Sequence, residues 1–119
     1  MKKVIFVSGP YSADSNLEIL SNIIKAVKVA NELWRKGWVV ICPHGNTFMM
    51  EGDYQMFIDG NLELIDRSDA VFMMQGWARS KGAVREHNYA KYVARKEVYY
   101  YISDVPNLNA EPQGDDGEG

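Results

Sequence analysis

A chain of 119 residues and 13.5 kDa is the size of one domain, and 46% apolar with 24% charged residues is an ordinary globular composition. The apolar runs, such as Ala70–Met74, fall far short of the roughly 20 residues that cross a bilayer, and Lys2 and Lys3 precede too short a run for a secretory signal. The single cysteine, Cys42, excludes an internal disulfide and a multi-cysteine zinc site, and a cytoplasmic protein is expected. The net charge of −3 is uneven: five acids and no base lie from Asp104 onward, leaving eleven acids against thirteen bases before it.

Lys3–Ser8 is a β-branched and aromatic run and predicts the first strand. Gly9–Ala13 breaks it as a loop. Asp14 or Ser15 can cap a helix over Asn16–Lys36, with an apolar stripe of Leu20, Ile23, Ile24, Val27, Ala30 and Trp34. Gly37 is its expected stop. Trp38–Cys42 is continuously apolar, the pattern of a parallel strand covered on both faces. Pro43 ends that strand and His44–Asp53 reads as a loop. A second helix over Tyr54–Arg67 offers Phe57, Ile58, Leu62, Leu64 and Ile65 for burial. Ala70–Gln75 is the third strand, Gly76–Lys81 a loop, Gly82–Lys96 the third helix and Glu97–Ile102 the fourth strand. Residues 104–119, with their prolines, glycines and acids, read as a disordered tail behind a domain of residues 1–103.

Alternating β and α elements predict an α/β fold: a three-layer, Rossmann- or flavodoxin-like parallel sheet of four to five strands with helices on both faces. Ligands bind beyond the carboxyl ends of such strands, here Ser8–Ala13, Pro43–Asp53 and Gly76–Glu86. No Walker A or G-x-G-x-x-G sequence is present, and His44 and His87 lack the spacing of a metal pair. Cys42 reads as core and His87 as helix surface. His44 suits either a ligand contact or a loop hydrogen bond. Arg79, Lys81, Arg85, Lys91, Arg95 and Lys96 form either a solvated helix face or a positive potential for a phosphorylated small molecule. A body of about +2 is a weak footprint for nucleic acid.

The third loop carries the most information. Small residues at Ser80, Gly82 and Ala83 let a ligand approach the backbone, and the helix start favours an anion. Glu86, near that start, either caps or salt-bridges, or else faces a cleft with the helix dipole keeping it ionised. Ser8, Gly9, Tyr11 and Ser12 supply glycine, hydroxyls and an aromatic face at the same sheet edge, although a plain turn uses the same residue types.

Ile5–Ser12 (IFVSGPYS), P-H-x-N at Pro43–Asn46, S-D-A at Ser68–Ala70 and S-x-G-A-x-x-E-x-x-x-A at Ser80–Ala90 occur in this order. Together they resemble the nucleoside 2-deoxyribosyltransferase-like family over roughly residues 3–102, a family that includes deoxyribosyltransferases and nucleoside monophosphate N-hydrolases. The resemblance implies that Glu86 attacks the anomeric carbon of the sugar as the base departs, giving a covalent glycosyl-enzyme. Members place an aspartate where this chain has Asn61, which can hydrogen-bond but cannot act as a general acid. Asp59 lies two residues away, about 200° round a regular helix. Asp69 reads as a strand-start or capping residue.

Ser80 resembles the phosphate-contacting serine of the monophosphate hydrolases and favours a nucleoside 5′-monophosphate over a free nucleoside. Expected contacts are Ser8, Gly9, Tyr11, Ser12, Ser80, Gly82 and Ala83 to the sugar phosphate. His44, Asn46, Phe48 and Met49 would form the base-facing wall. Glu86 would be the nucleophile, with Asn61 and Asp59 near the sugar or base. The expected activity is N-glycosidic cleavage of a nucleotide, the alternatives being base exchange by a transferase and a non-catalytic nucleotide-binding module. The resemblance implies no metal or cofactor, a small-molecule nucleotide or nucleoside as partner, no nucleic-acid polymer or membrane, and a homodimer or larger homo-oligomer.

Overall fold

The computed structural model describes residues 2–46 and 54–109. In chain order the elements are β1 (Val4–Ser8), α1 (Asn16–Arg35), β2 (Val39–Ile41), α2 (Pro43–Asn46), α3 (Tyr54–Asp66), β3 (Ala70–Met73), α4 (Lys81–Asn88) and β4 (Glu97–Tyr99). Short 3-10 turns add Trp77–Arg79 and Ile102–Asp104, and α4 runs on into a π-helical turn at Tyr89–Val93. All four strands are parallel, in the order β2-β1-β3-β4. This is the α/β class the alternation predicted. Among the described residues no helix is long and apolar enough to cross a membrane.

The pleat divides the core in two. Ile5, Val7, Ala70, Phe72 and Met74 meet Ala26 and Leu33 of α1 on one face. Phe6, Val71 and Met73 meet Ile65 of α3 and Ala83 and Ala90 of the α4 segment on the other. Asp69 fixes the register at the amino end, its Oδ2 accepting from the Val4 N–H at 2.7 Å while its own N–H donates to the Val4 carbonyl at 2.8 Å. That is the strand-start role read for it.

Several expectations change, among them the loop read from His44 onward, since Pro43–Asn46 forms α2. Ser15 caps α1, its side chain accepting from the Glu18 N–H at 3.1 Å, but the helix turns Ala26, Ala30 and Leu33 inward. Leu20, Ile24, Val27 and Trp34 of the predicted stripe stay exposed. β2 is an edge strand with all three residues half-buried, because α1 returns the chain to the outside of β1. Residues 104–109, assigned by composition to the tail, pack against the body. Val105 is buried, and the Trp38 Nε1–H donates to the Pro106 carbonyl at 2.9 Å. Last, His87 is buried instead of lying on the helix surface.

Candidate active site

The carboxyl ends of β1 and β3 open into a cleft of about 1170 Å³, walled by the Gly9–Asp14 loop, the first half of α1, α2, α3 and the start of α4. Glu86 is its buried acid, only 6% exposed. It sits in the second turn of α4, in phase with buried Ala83 and Ala90, so the face that packs on the sheet also carries the carboxylate inward. Each oxygen is held. The Ser8 hydroxyl donates to Oε1 at 2.6 Å, and the Asn61 Nδ2–H donates to Oε2 at 2.8 Å. Burial pushes the Glu86 pKa up, with the Ser8 and Asn61 hydrogen bonds opposing it. Desolvation thus outweighs the two hydrogen bonds that favour the ionised form.

Ser8 is 1% exposed and does not line the cleft, so it works behind the carboxylate. Asn61 lines the cleft from α3 and orients the acid, a task that an amide performs as well as a protonated carboxyl would. Asp59 is exposed on the same helix, accepting from the Gln55 Nε2–H at 2.7 Å, and is not brought to the cleft. The α3 helix begins at Tyr54, so the regular turn of about 200° between the two positions holds.

The opposite wall comes from the first loop. Gly9 passes directly over Met74; a Cβ there would lie 2.7 Å from the Met74 Cβ, so glycine alone allows the approach. Tyr11 meets the His44 ring edge-on at 5.7 Å, and the Asn22 Nδ2–H holds the Tyr11 carbonyl at 3.1 Å. His44 is 4% exposed, with Nε2 2.8 Å from the Pro10 carbonyl. Since that oxygen can only accept, Nε2 carries the proton. Burial lowers the His44 pKa against hydrogen bonds to Pro10 and Gly9, so the ring is neutral and Nδ1 is a bare acceptor. This Nδ1 is buried without a partner. Ser12 lines the cleft and is exposed. Asn46 ends α2, and Phe48 and Met49 lie outside the described residues.

The third wall is the start of α4. Gly76, at φ 88, is in the left-handed region and turns the chain from β3 into the Trp77–Arg79 turn. Ser80 is the N-cap of α4, its side chain accepting from the Ala83 N–H at 3.2 Å. Ser80, Gly82 and Ala83 all line the cleft, with Arg79 and Lys81 beside them. Under this wall the Trp77 ring stacks on His87 with centroids 4.1 Å apart, and His87 Nε2 lies 2.8 Å from the Tyr100 hydroxyl.

Sequence reading missed the contribution of α1, where Glu18, Ser21, Asn22 and Lys25 face the cleft. Their i, i+3, i+4, i+7 spacing on the amino half of α1 was the available signal. It also missed Phe57 and Ile58, which line the cleft from α3. Among the described residues no group of His, Cys, Asp and Glu could hold a metal ion.

A parallel α/β sheet with one buried, doubly hydrogen-bonded carboxylate at its carboxyl edge defines the class of this molecule. Residues 3–100 match the family described as a domain of unknown function (DUF4406), and the chain belongs to that family. No curated protein matches the sequence. Among solved structures, the fold is similar to that of a 2-desoxiribosyltransferase from Leishmania mexicana, with a TM-score of 0.52 and 21% identity over 81% of this chain. The match takes in 61% of that longer chain. The fold is nucleoside 2-deoxyribosyltransferase-like.

Proposed function

We propose that this protein is an enzyme that cleaves the N-glycosidic bond of a nucleoside or nucleotide, with Glu86 as nucleophile. The observation that carries the proposal is the Glu86 carboxylate, buried at the end of the cleft with one oxygen hydrogen-bonded to Ser8 and the other to Asn61. Each oxygen keeps a lone pair, and the two bonds fix the rotamer, as attack on C1′ requires. A Glu86 oxygen forms a bond to C1′ as the C1′–N bond breaks and its electron pair leaves with the base. A second base nitrogen then displaces the carboxylate, restoring Glu86 and completing an exchange. The likeness in fold to a 2-desoxiribosyltransferase supports this transfer reading. His44 Nδ1 would accept a hydrogen bond from a hydroxyl or N–H of the bound substrate, and Tyr11 offers an aromatic face beside it.

A second reading, release of the glycosyl group to water from a nucleoside 5′-monophosphate, rests on the cations at the cleft. Lys25, Arg79 and Lys81 line the cleft and suit a phosphate. No metal or cofactor takes part in either reading. A panel of nucleosides and 5′-monophosphates, incubated with and without a second base and resolved by chromatography, tests both. Exchanged nucleoside formed by wild type and not by Glu86→Ala is the expected result. Free base and sugar phosphate without exchange would establish the hydrolase instead. Tight binding with no turnover, unchanged in Glu86→Gln, would leave a nucleotide-binding module.

A further inference from the structure

Beyond the carboxyl ends of β3 and β4 lies a second hollow of about 610 Å³, within the roughly 300–1,000 Å³ of small-molecule sites. Gln75 and Gly76 are its common wall with the cleft, and no residue of α3 or α4 lines it. Its sides are aromatic, formed by Trp77, Tyr100 and Tyr101. Two of these rings are held in place. Trp77 stacks on buried His87 with centroids 4.1 Å apart, and His87 Nε2 lies 2.8 Å from the Tyr100 hydroxyl. His87, which the proposed chemistry does not use, therefore fixes two walls of the hollow, and a ligand need not order them.

Two further properties select that ligand. None of the lining residues is charged, whereas Lys25, Arg79 and Lys81 line the cleft, so the hollow does not suit a phosphate. The Gln75 amide, the Trp77 indole N–H and the Tyr101 hydroxyl have no hydrogen-bond partner among the described residues. They offer both donors and acceptors beside aromatic faces, which an aliphatic molecule would leave unmatched. We infer that this hollow is a second binding site, separate from the cleft, for a neutral planar nitrogen heterocycle of the size of a free purine or pyrimidine. Its ring would stack on the aromatic walls while its edge pairs with Gln75 and the Trp77 N–H. Binding there does not involve Glu86, so the inference stands or falls apart from the glycosidase reading.

Titration of the full chain with adenine, followed by nuclear magnetic resonance of the tryptophan indole N–H groups, tests it. The Trp77 signal is identified as the one lost in Trp77→Phe. In wild type and in Glu86→Gln it is expected to shift and saturate with the same Kd. Tyr101 is 69% exposed, so its truncation leaves the core intact. Tyr101→Ala is expected to raise the Kd roughly 10-fold, the loss of one stacking partner. Cyclohexanol, which is not planar, is expected to leave the signal in place. A Trp77 signal unmoved up to the solubility limit of adenine would overturn the inference. A shift with an unchanged Kd in Tyr101→Ala would also overturn it, since the signal would then report adenine in the cleft through the wall at Gln75 and Gly76. An equal response to cyclohexanol would overturn it by reducing the hollow to an unselective apolar surface.

Discussion

At the scale of single residues, the cleft turns on the cost of placing one charge out of water. Burial raises the Glu86 pKa and two hydrogen bonds oppose it, so each bond carries part of the ionised state. Losing the Asn61 bond would cost about 1.5–3 kcal/mol of that stabilisation. Asn61→Leu is therefore expected to move the acid limb of the pH–rate profile to higher pH and to lower the rate at neutral pH by roughly 10- to 100-fold. A rate loss with the limb unmoved would separate Asn61 from Glu86. Glu86 also ties stability to pH. Its folded pKa lies above the ordinary 4.5, so the folded state holds the proton longer than the unfolded chain does. The associated stability is full below pH 4.5 and is lost as pH rises through the raised value. Glu86→Gln removes that dependence. Its melting temperature, compared with wild type, should gain from pH 4 to neutrality and level off above the folded pKa.

At the scale of elements, the Trp77–Arg79 turn and α4 act as one piece, because Trp77 stacks on His87 while Ser80 caps the helix between them. Ser80→Ala removes that cap, worth about 1 kcal/mol, or about 4 °C in Tm for a domain of this size. If the same hydroxyl meets a 5′-phosphate, KM for a monophosphate should also rise about 10-fold, the cost of one charge-assisted hydrogen bond, while KM for the free nucleoside stays put. A Tm drop with neither KM changed would make Ser80 a cap alone.

The elements themselves were legible because glycine, proline and period mark them: Gly9 and Pro10 close β1, Pro43 closes β2, and Ser15 opens α1. The segment around Glu86 left it between a salt-bridging and a cleft-facing residue, and the resemblance of S-x-G-A-x-x-E at Ser80–Glu86 to a known family pointed to the cleft. The Asn61 bond to Glu86 was not legible, since it depends on α3 lying against α4 across 25 residues of sequence. The α1 stripe misled because two apolar faces overlap on one helix, and period alone does not say which meets the sheet. His87 misled because its partners, Trp77 and Tyr100, arrive from the turn before α4 and from beyond β4.

At the scale of the whole molecule, the two faces of the sheet are closed by different means. The α3 and α4 helices cover one, whereas α1 covers the other with help from the segment that follows β4. That segment is pinned at the amino end of the sheet, opposite the cleft. Val105 joins the α1 core, the Lys36 ammonium donates to the Val105 carbonyl at 3.0 Å, and the Leu108 N–H donates to the Lys36 carbonyl at 2.6 Å. The strap thus locks the carboxyl end of α1 to the chain entering β2, while the amino half of α1 faces the cleft. Val105→Ala leaves a cavity in that core and is expected to cost about 2 kcal/mol, a drop of roughly 8 °C in Tm for a chain of this length. Truncation after Ser103 removes Val105 and the hydrogen bonds that tie the strap to Arg35, Lys36 and Trp38, and should cost more. Because the strap is remote from Glu86, the Val105→Ala enzyme assayed well below its melting temperature should keep the wild-type pH–rate profile. A shifted acid limb in that variant would mean that α1 transmits strain from the strap to the cleft, and that the two ends of the molecule are not independent.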